Sequence, residues 1–310
     1  MITRTRRLGF TIVELLTAVA IIAMLIALLV PSLSMVRKFA NETRQKAQLA
    51  AIGQALMAFR TDYGDYPPSE ARDIGGQPYC GAQKLAEALL GWDLLGFQPS
   101  SAANNWGQTF RSDGAIYNPA YLDERRGPYL DVGTTNAFSL DQLFGSAVPM
   151  GSNPRTYVLC DSFPVRNVSV GQPGNEKTVK AGTPILYYRA HTDRMDWGTA
   201  AETTNSTRYD YRDNQALCSA PALTNRNLLF PDPDKRHPFE YGFRGAPLGP
   251  GEVFYCWDAA NLKVIYKLID LQVWQASGRF WPHRPDSYIL ISAGADGLYG
   301  TSDDITNFGN

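Results

Sequence analysis

Three carboxylates stand close together near the C-terminus: Asp296, Asp303 and Asp304 lie within nine residues, among Gly294, Gly297 and Gly300. Clustered acids around glycine turns are the raw material of a hard-cation site, since a cation such as calcium takes six to eight oxygen ligands at 2.3–2.6 Å. Backbone carbonyls near Ala293 and Thr301 are candidates to complete such a shell, with the loop spanning 293–305. No glutamate closes a twelve-residue loop, so the pattern is not that of an EF-hand. The plainer alternative is that Asp-Gly and Ser-Asp simply form turns.

A fourth acid, Glu14, is the only ionisable side chain in the apolar run 10–30. About 21 residues at 1.5 Å each reach about 30 Å, the thickness of a bilayer's hydrocarbon core. A carboxylate inside a membrane span costs roughly 2.5–3.5 kcal/mol and is by default functional. The alternative is an acid near the membrane edge that snorkels to water. Arg4, Arg6 and Arg7 precede the run, which favours a cytoplasmic N-terminus and places the chain after about residue 31 outside. A secretory signal peptide also has a basic start. Here, however, the apolar run is long and it contains an acid.

The elements that must position these groups begin with a long helix. Leu49, Ile52, Leu56, Phe59 and Tyr63 recur at spacings of three and four, one apolar stripe. Arg37, Lys38, Glu42, Arg44 and Lys46 keep the stretch before it soluble. A helix over 10–63 is expected, disturbed at Pro31 and ended by Gly64, Pro67 and Pro68. A short helix over 83–90 follows. Strand-like runs occur at 157–160, 185–191, 253–257 and 287–292, and 264–271 is ambiguous. The fold class expected is α+β: the long helix packed on a small antiparallel sheet. Two stretches, 148–182 and 196–251, read as irregular insertions.

Other chemistry is thinly represented. No phosphate-binding loop, nucleophile elbow or HExxH occurs, and His191, His237 and His283 are scattered, so no enzymatic activity is expected. The net charge of −1 disfavours a general nucleic-acid binder. Cys80, Cys160, Cys218 and Cys256 lie far apart without a CxxC pair, leaving zero to two disulfides or buried thiols open.

The segment Arg7-Leu8-Gly9-Phe10-Thr11-Ile12-Val13-Glu14-Leu15-Leu16 resembles the cleavage and methylation motif of type IV pilins and type II secretion pseudopilins. The resemblance implies a leader over 1–9, cleavage after Gly9 by a prepilin peptidase, and methylation of Phe10. It also implies that Glu14 pairs with the Phe10 amine of a neighbouring subunit, and that residues 64–310 form an extracytoplasmic pilin-like domain. The C-terminal stretch 294–305 resembles the calcium loop of the major pseudopilins, which implies calcium as the bound ion. Expected partners are other pseudopilin subunits, the peptidase, and an inner-membrane assembly platform with its ATPase. The expected function is a structural subunit of a type II secretion-like periplasmic filament, anchored by one pass in a bacterial inner membrane. A minor type IV pilin for adhesion or DNA uptake is the alternative. More distant is a membrane-anchored enzyme or binding protein.

Overall fold

The computed structural model describes residues 11–72, 78–98, 123–133, 135–144, 156–171, 174–192, 208–214, 217, 257–258, 263–264, 276, 282–297, 299 and 303–308. The expected leader, with Gly9 and Phe10, lies outside these residues, as do Gly300, Thr301, Cys218, Cys256 and most of 196–251. The chain divides into two compact units, Met1–Thr43 and Arg44–Asn310.

Helix α1 spans Ile12–Tyr63 and is continuous at Pro31, where the sequence predicts a disturbance. Its start is fixed locally. Thr11 and Glu14 form the reciprocal hydrogen bonds of a capping box, which satisfy backbone donors that a helix start leaves unpaired. Among the described residues no helix is long and apolar enough to cross a membrane. The expected span 10–30 includes Phe10 and the side chains at 28 and 30, which lie outside the described residues.

The second unit is mixed α+β. Its elements after α1 are helix α2 (Gly81–Leu90), strand β1 (Ala137–Ser139), helix α3 (Leu140–Phe144), and strands β2 (Tyr157–Leu159), β3 (Arg166–Val170), β4 (Lys177–Ala181) and β5 (Leu186–Arg189). A 3₁₀ turn at Tyr211–Asn214 follows, then β6 (Trp257–Asp258), β7 (Lys263–Val264), β8 (Tyr288–Ser292) and β9 (Ile305–Thr306). Among the described residues the strands form, instead of one sheet, a three-stranded antiparallel sheet in the order β5-β8-β9 and three two-stranded pairs.

The β5–β8 pair explains the architecture. Leu186 lies opposite Ile291 and Tyr188 opposite Ile289, while Tyr187 lies opposite Leu290. Side chains alternate across a strand, so the two sets face opposite ways. Tyr187, Tyr288, Leu290 and Ile305 pack with Leu49, Ile52, Leu56 and Phe59 of the α1 stripe and with Leu85 and Leu89 of α2. Leu186, Tyr188, Ile289 and Ile291 enter a second cluster with Leu140, Val158, Cys160, Val168 and Tyr209. Both faces of this pair are buried, which is why its strands read as unbroken apolar runs.

The stretch 148–182 holds β2 where the strand-like run 157–160 is expected, and also β3 and β4, where an irregular insertion is expected. The sequence marks for the β3–β4 hairpin are Val168 and Val170 alternating with polar residues and facing Val179 and Lys177 across the ladder. Gly171 and Gly174 turn with positive φ at its tip. Cys80 and Cys160 are buried free thiols. Burial pushes the Cys80 thiol up to about 11 and the Cys160 thiol well above its ordinary range, so both stay protonated and inert.

Candidate functional site

Three places carry candidate chemistry: the start of α1, the C-terminal loop, and a groove beside α1 in the second unit.

At the start of α1, Glu14 accepts hydrogen bonds from the Thr11 amide at 2.9 Å and from the Thr11 hydroxyl at 2.8 Å. The Glu14 amide donates to Thr11 Oγ1 at 3.2 Å. One carboxylate thus both closes the helix start and remains on an exposed surface. The T-x-x-E spacing from Thr11 to Glu14 marks this cap in the sequence.

The C-terminal loop leaves β8 at Ser292 and returns into β9 at Ile305. Gly294 and Gly297 adopt φ of 67° and 72°. At Gly294 no side chain would fit, because a Cβ would run into the Asp303 carbonyl. The Asp303 carboxylate turns back on the same loop and accepts the Asp296 amide at 3.0 Å. Asp304 is buried, whereas Asp296 is exposed. Ala293 is buried at the loop's entrance, and the Tyr299 hydroxyl donates to the Pro184 carbonyl. Among the described residues no group of three or more His, Cys, Asp or Glu side chains comes together to hold a metal ion. Asp296, Asp303 and Asp304 are neighbours in one loop, and Thr301 lies outside the described residues.

Behind this loop sits a residue that sequence reasoning missed. Asp161 follows β2 and is 1 % exposed. Its Oδ1 accepts the amides of Phe163 at 3.2 Å and Thr183 at 3.1 Å, and its Oδ2 accepts the Ser292 hydroxyl at 3.0 Å. Ser292 Oγ in turn accepts the Gly294 amide at 3.3 Å. Burial raises the Asp161 carboxyl from 3.8 to about 7, against the lowering effect of these hydrogen bonds and of Arg166. Gly182 has no side chain because a Cβ there would meet the Asp161 carbonyl. On the other side, Gln48 Nε2 donates to the Cys160 carbonyl at 2.8 Å and Gln45 Oε1 accepts the Ser162 amide at 2.7 Å. Residues 160–163 therefore tie α1 to the root of the C-terminal loop. A lone acid after a short strand gives no periodic signal, so nothing local in the sequence marks it.

The groove has a volume of about 500 Å³. One wall is α1, through Arg44, Gln48, Ala51, Ile52, Ala55 and Ala58, and the other is the segment 129–136, through Tyr129, Leu130 and Asp131. That segment is fixed by Tyr129, whose amide donates to the Leu89 carbonyl at 2.8 Å and whose hydroxyl donates to Asp62 at 2.6 Å. Asp131 Oδ1 accepts the Gly133 amide at 3.0 Å, which holds its carboxylate at the exposed rim. Gln48 Oε1 is shielded from solvent without a hydrogen-bond partner.

No protein-family model matches the chain, and no curated protein and no solved structure matches it either.

Proposed function

We propose that the chain is a pseudopilin-type structural subunit of a type II secretion-like periplasmic filament. The observation that carries this reading is the coincidence of a basic leader, Gly9, the Phe10-Thr11 start and Glu14 at the head of an apolar stretch. In this reading residues 10–30 anchor the subunit in a bacterial inner membrane. A prepilin peptidase frees the Phe10 amine, and that amine neutralises Glu14 of a neighbouring copy, which sets the register between subunits. The packing of the α1 stripe with the β5-β8-β9 sheet supports the reading, because a helix packed on a small antiparallel sheet is what a pilin-like head requires. A platform protein and its ATPase would drive assembly, and calcium would order the C-terminal loop.

Mass analysis of the N-terminus of protein from its native host tests the proposal. The expected chain begins at Phe10 and carries one added methyl group. Recovery only of chains that begin after about residue 30 would identify an ordinary signal peptide and overturn it.

A further inference from the structure

The second unit carries two arginines stacked at the ends of a tyrosine pair. Arg60 stands in the last turn of α1, with its guanidinium 4.9 Å from the centroid of the Tyr66 ring and Nη1 3.4 Å from the Tyr66 hydroxyl. Tyr66 meets Tyr288 of β8 edge to face at 4.9 Å, and the Arg284 guanidinium lies 5.9 Å from the centroid of the Tyr288 ring. Both rings are buried and both arginines are exposed, so the two charges stand on the surface of one aromatic pair. The backbone holds Arg284 in place: its φ is 52°, and its carbonyl accepts the Tyr209 hydroxyl and the Ser287 amide. A positive φ in a residue other than glycine is uncommon, and such strain gathers at functional positions.

Among the described residues neither Arg60 nor Arg284 forms an ion pair, whereas the neighbouring acids are already taken. Asp65 pairs with Arg189 at 2.5 Å, and Asp286 pairs with Arg208 at 3.1 Å. We propose that this surface binds an acidic peptide segment of a partner protein, with one carboxylate on Arg60 and a second on Arg284. A guanidinium offers a planar fork of donors that fits a carboxylate, and stacking on a ring fixes the fork before the partner arrives. The paired acids select the kind of partner. A dense polyanion, such as a nucleic acid or a sulfated polysaccharide, would also lay its charge against Asp65 and Asp286. Separate side-chain carboxylates on an extended segment can meet the two arginines alone. Complementarity of this kind gives specificity more than raw affinity. The surface lies wholly within the second unit and does not depend on how the start of α1 is anchored.

Fluorescence anisotropy of the full-length chain in detergent micelles tests it, with a labelled peptide of alternating Glu and Ser as the probe. The expected result is saturable binding at low salt that weakens several-fold when the probe carries Gln in place of Glu. Arg60→Gln and Arg284→Gln should each weaken binding several-fold, and Arg60→Lys, which keeps the charge and loses the fork, should weaken it as well. Arg37→Gln with Lys38→Gln removes exposed charge elsewhere on α1 and should leave binding unchanged. An unaltered circular dichroism spectrum in each variant separates loss of the surface from loss of the fold. No binding of the Glu probe, or an equal loss in the 37–38 variant, overturns the site. Tighter binding of heparin or of a single-stranded oligonucleotide through the same two arginines overturns the choice of an acidic peptide. Co-purification of differently tagged copies that is lost in the Arg60→Gln and Arg284→Gln double variant would make a second copy the occupant and overturn a separate partner.

Discussion

The carboxylate of Glu14 accepts both the amide and the hydroxyl of Thr11, so the acid proposed to pair with a neighbour also caps its own helix. The two roles separate by substitution. Glutamine completes a capping box as glutamate does but carries no charge, whereas alanine loses both functions. Glu14→Gln is expected to leave the helix start and membrane insertion intact and yet to block assembly. Glu14→Ala should block assembly and also fray the first turn. Crosslinking of subunits in membranes, with hydrogen exchange at residues 12–16, reads both effects. Normal assembly by Glu14→Gln would leave the cap as the only role of this acid.

Asp161 makes a prediction with a definite sign. Its carboxyl is raised to about 7 by burial, so between its ordinary value near 4 and 7 the folded chain holds a proton that the unfolded chain has lost. Stability from this group is therefore greatest at low pH and falls as pH rises through about 7. With each pKa unit worth about 1.4 kcal/mol, the loss between pH 5 and pH 8 is about 2–3 kcal/mol. Asp161→Asn keeps one acceptor oxygen for the Phe163 and Thr183 amides, puts a donor beside Ser292, and should remove that slope. Denaturant unfolding of the full chain in detergent at the two pH values, for wild type and variant, measures the difference. An equal slope in both would show that Asp161 is ionised throughout.

Much of the second unit was legible because its signals are periodic. The stripe Leu49, Ile52, Leu56 and Phe59 is buried in the core, and the runs at 185–191 and 287–292 contain β5 and β8. The double burial of the β5–β8 pair is written in its near-continuous apolar runs, whereas the partition of its two faces between separate clusters depends on tertiary contacts. The hairpin of β3 and β4 carries a weaker signal, because its outward residues, among them Asn167, Lys177 and Lys180, are polar and its glycines resemble those of a loop. The candidate sites were legible only as chemistry. The acids of the C-terminal loop were visible, but the inward turn of Asp303 onto the Asp296 amide depends on tertiary contacts, as does the position of Asp161.

The stripe also predicts where substitutions hurt. Leu56 is 0 % exposed between α1, α2 and the sheet, whereas Leu95 is 64 % exposed. Leu56→Ala is expected to cost about 2–5 kcal/mol through lost burial and a cavity. Leu95→Ala should change stability by about 0.5 kcal/mol or less. Denaturation midpoints of the two variants, measured side by side, check the assignment. A larger cost at Leu95 would mean that its surface is covered in the folded assembly.

The C-terminal loop offers the last test, because two forces compete to order it. Its own hydrogen bonds already bring Asp303 onto the Asp296 amide and Gly294 onto Ser292. Calcium, if bound, would add stability only to the native state, by about 2.7 kcal/mol at a concentration a hundred times its dissociation constant. Wild type in detergent is therefore expected to unfold at a higher temperature in calcium than in chelator. Asp303→Ala should abolish that difference and should also lower the midpoint in chelator, since it removes the acceptor of the Asp296 amide as well as a ligand. Asp296→Ala keeps its amide and so should lose only the calcium increment. A wild-type midpoint indifferent to calcium, with Asp303→Ala still destabilised, would leave the loop held by its own hydrogen bonds and remove the cation from the proposal.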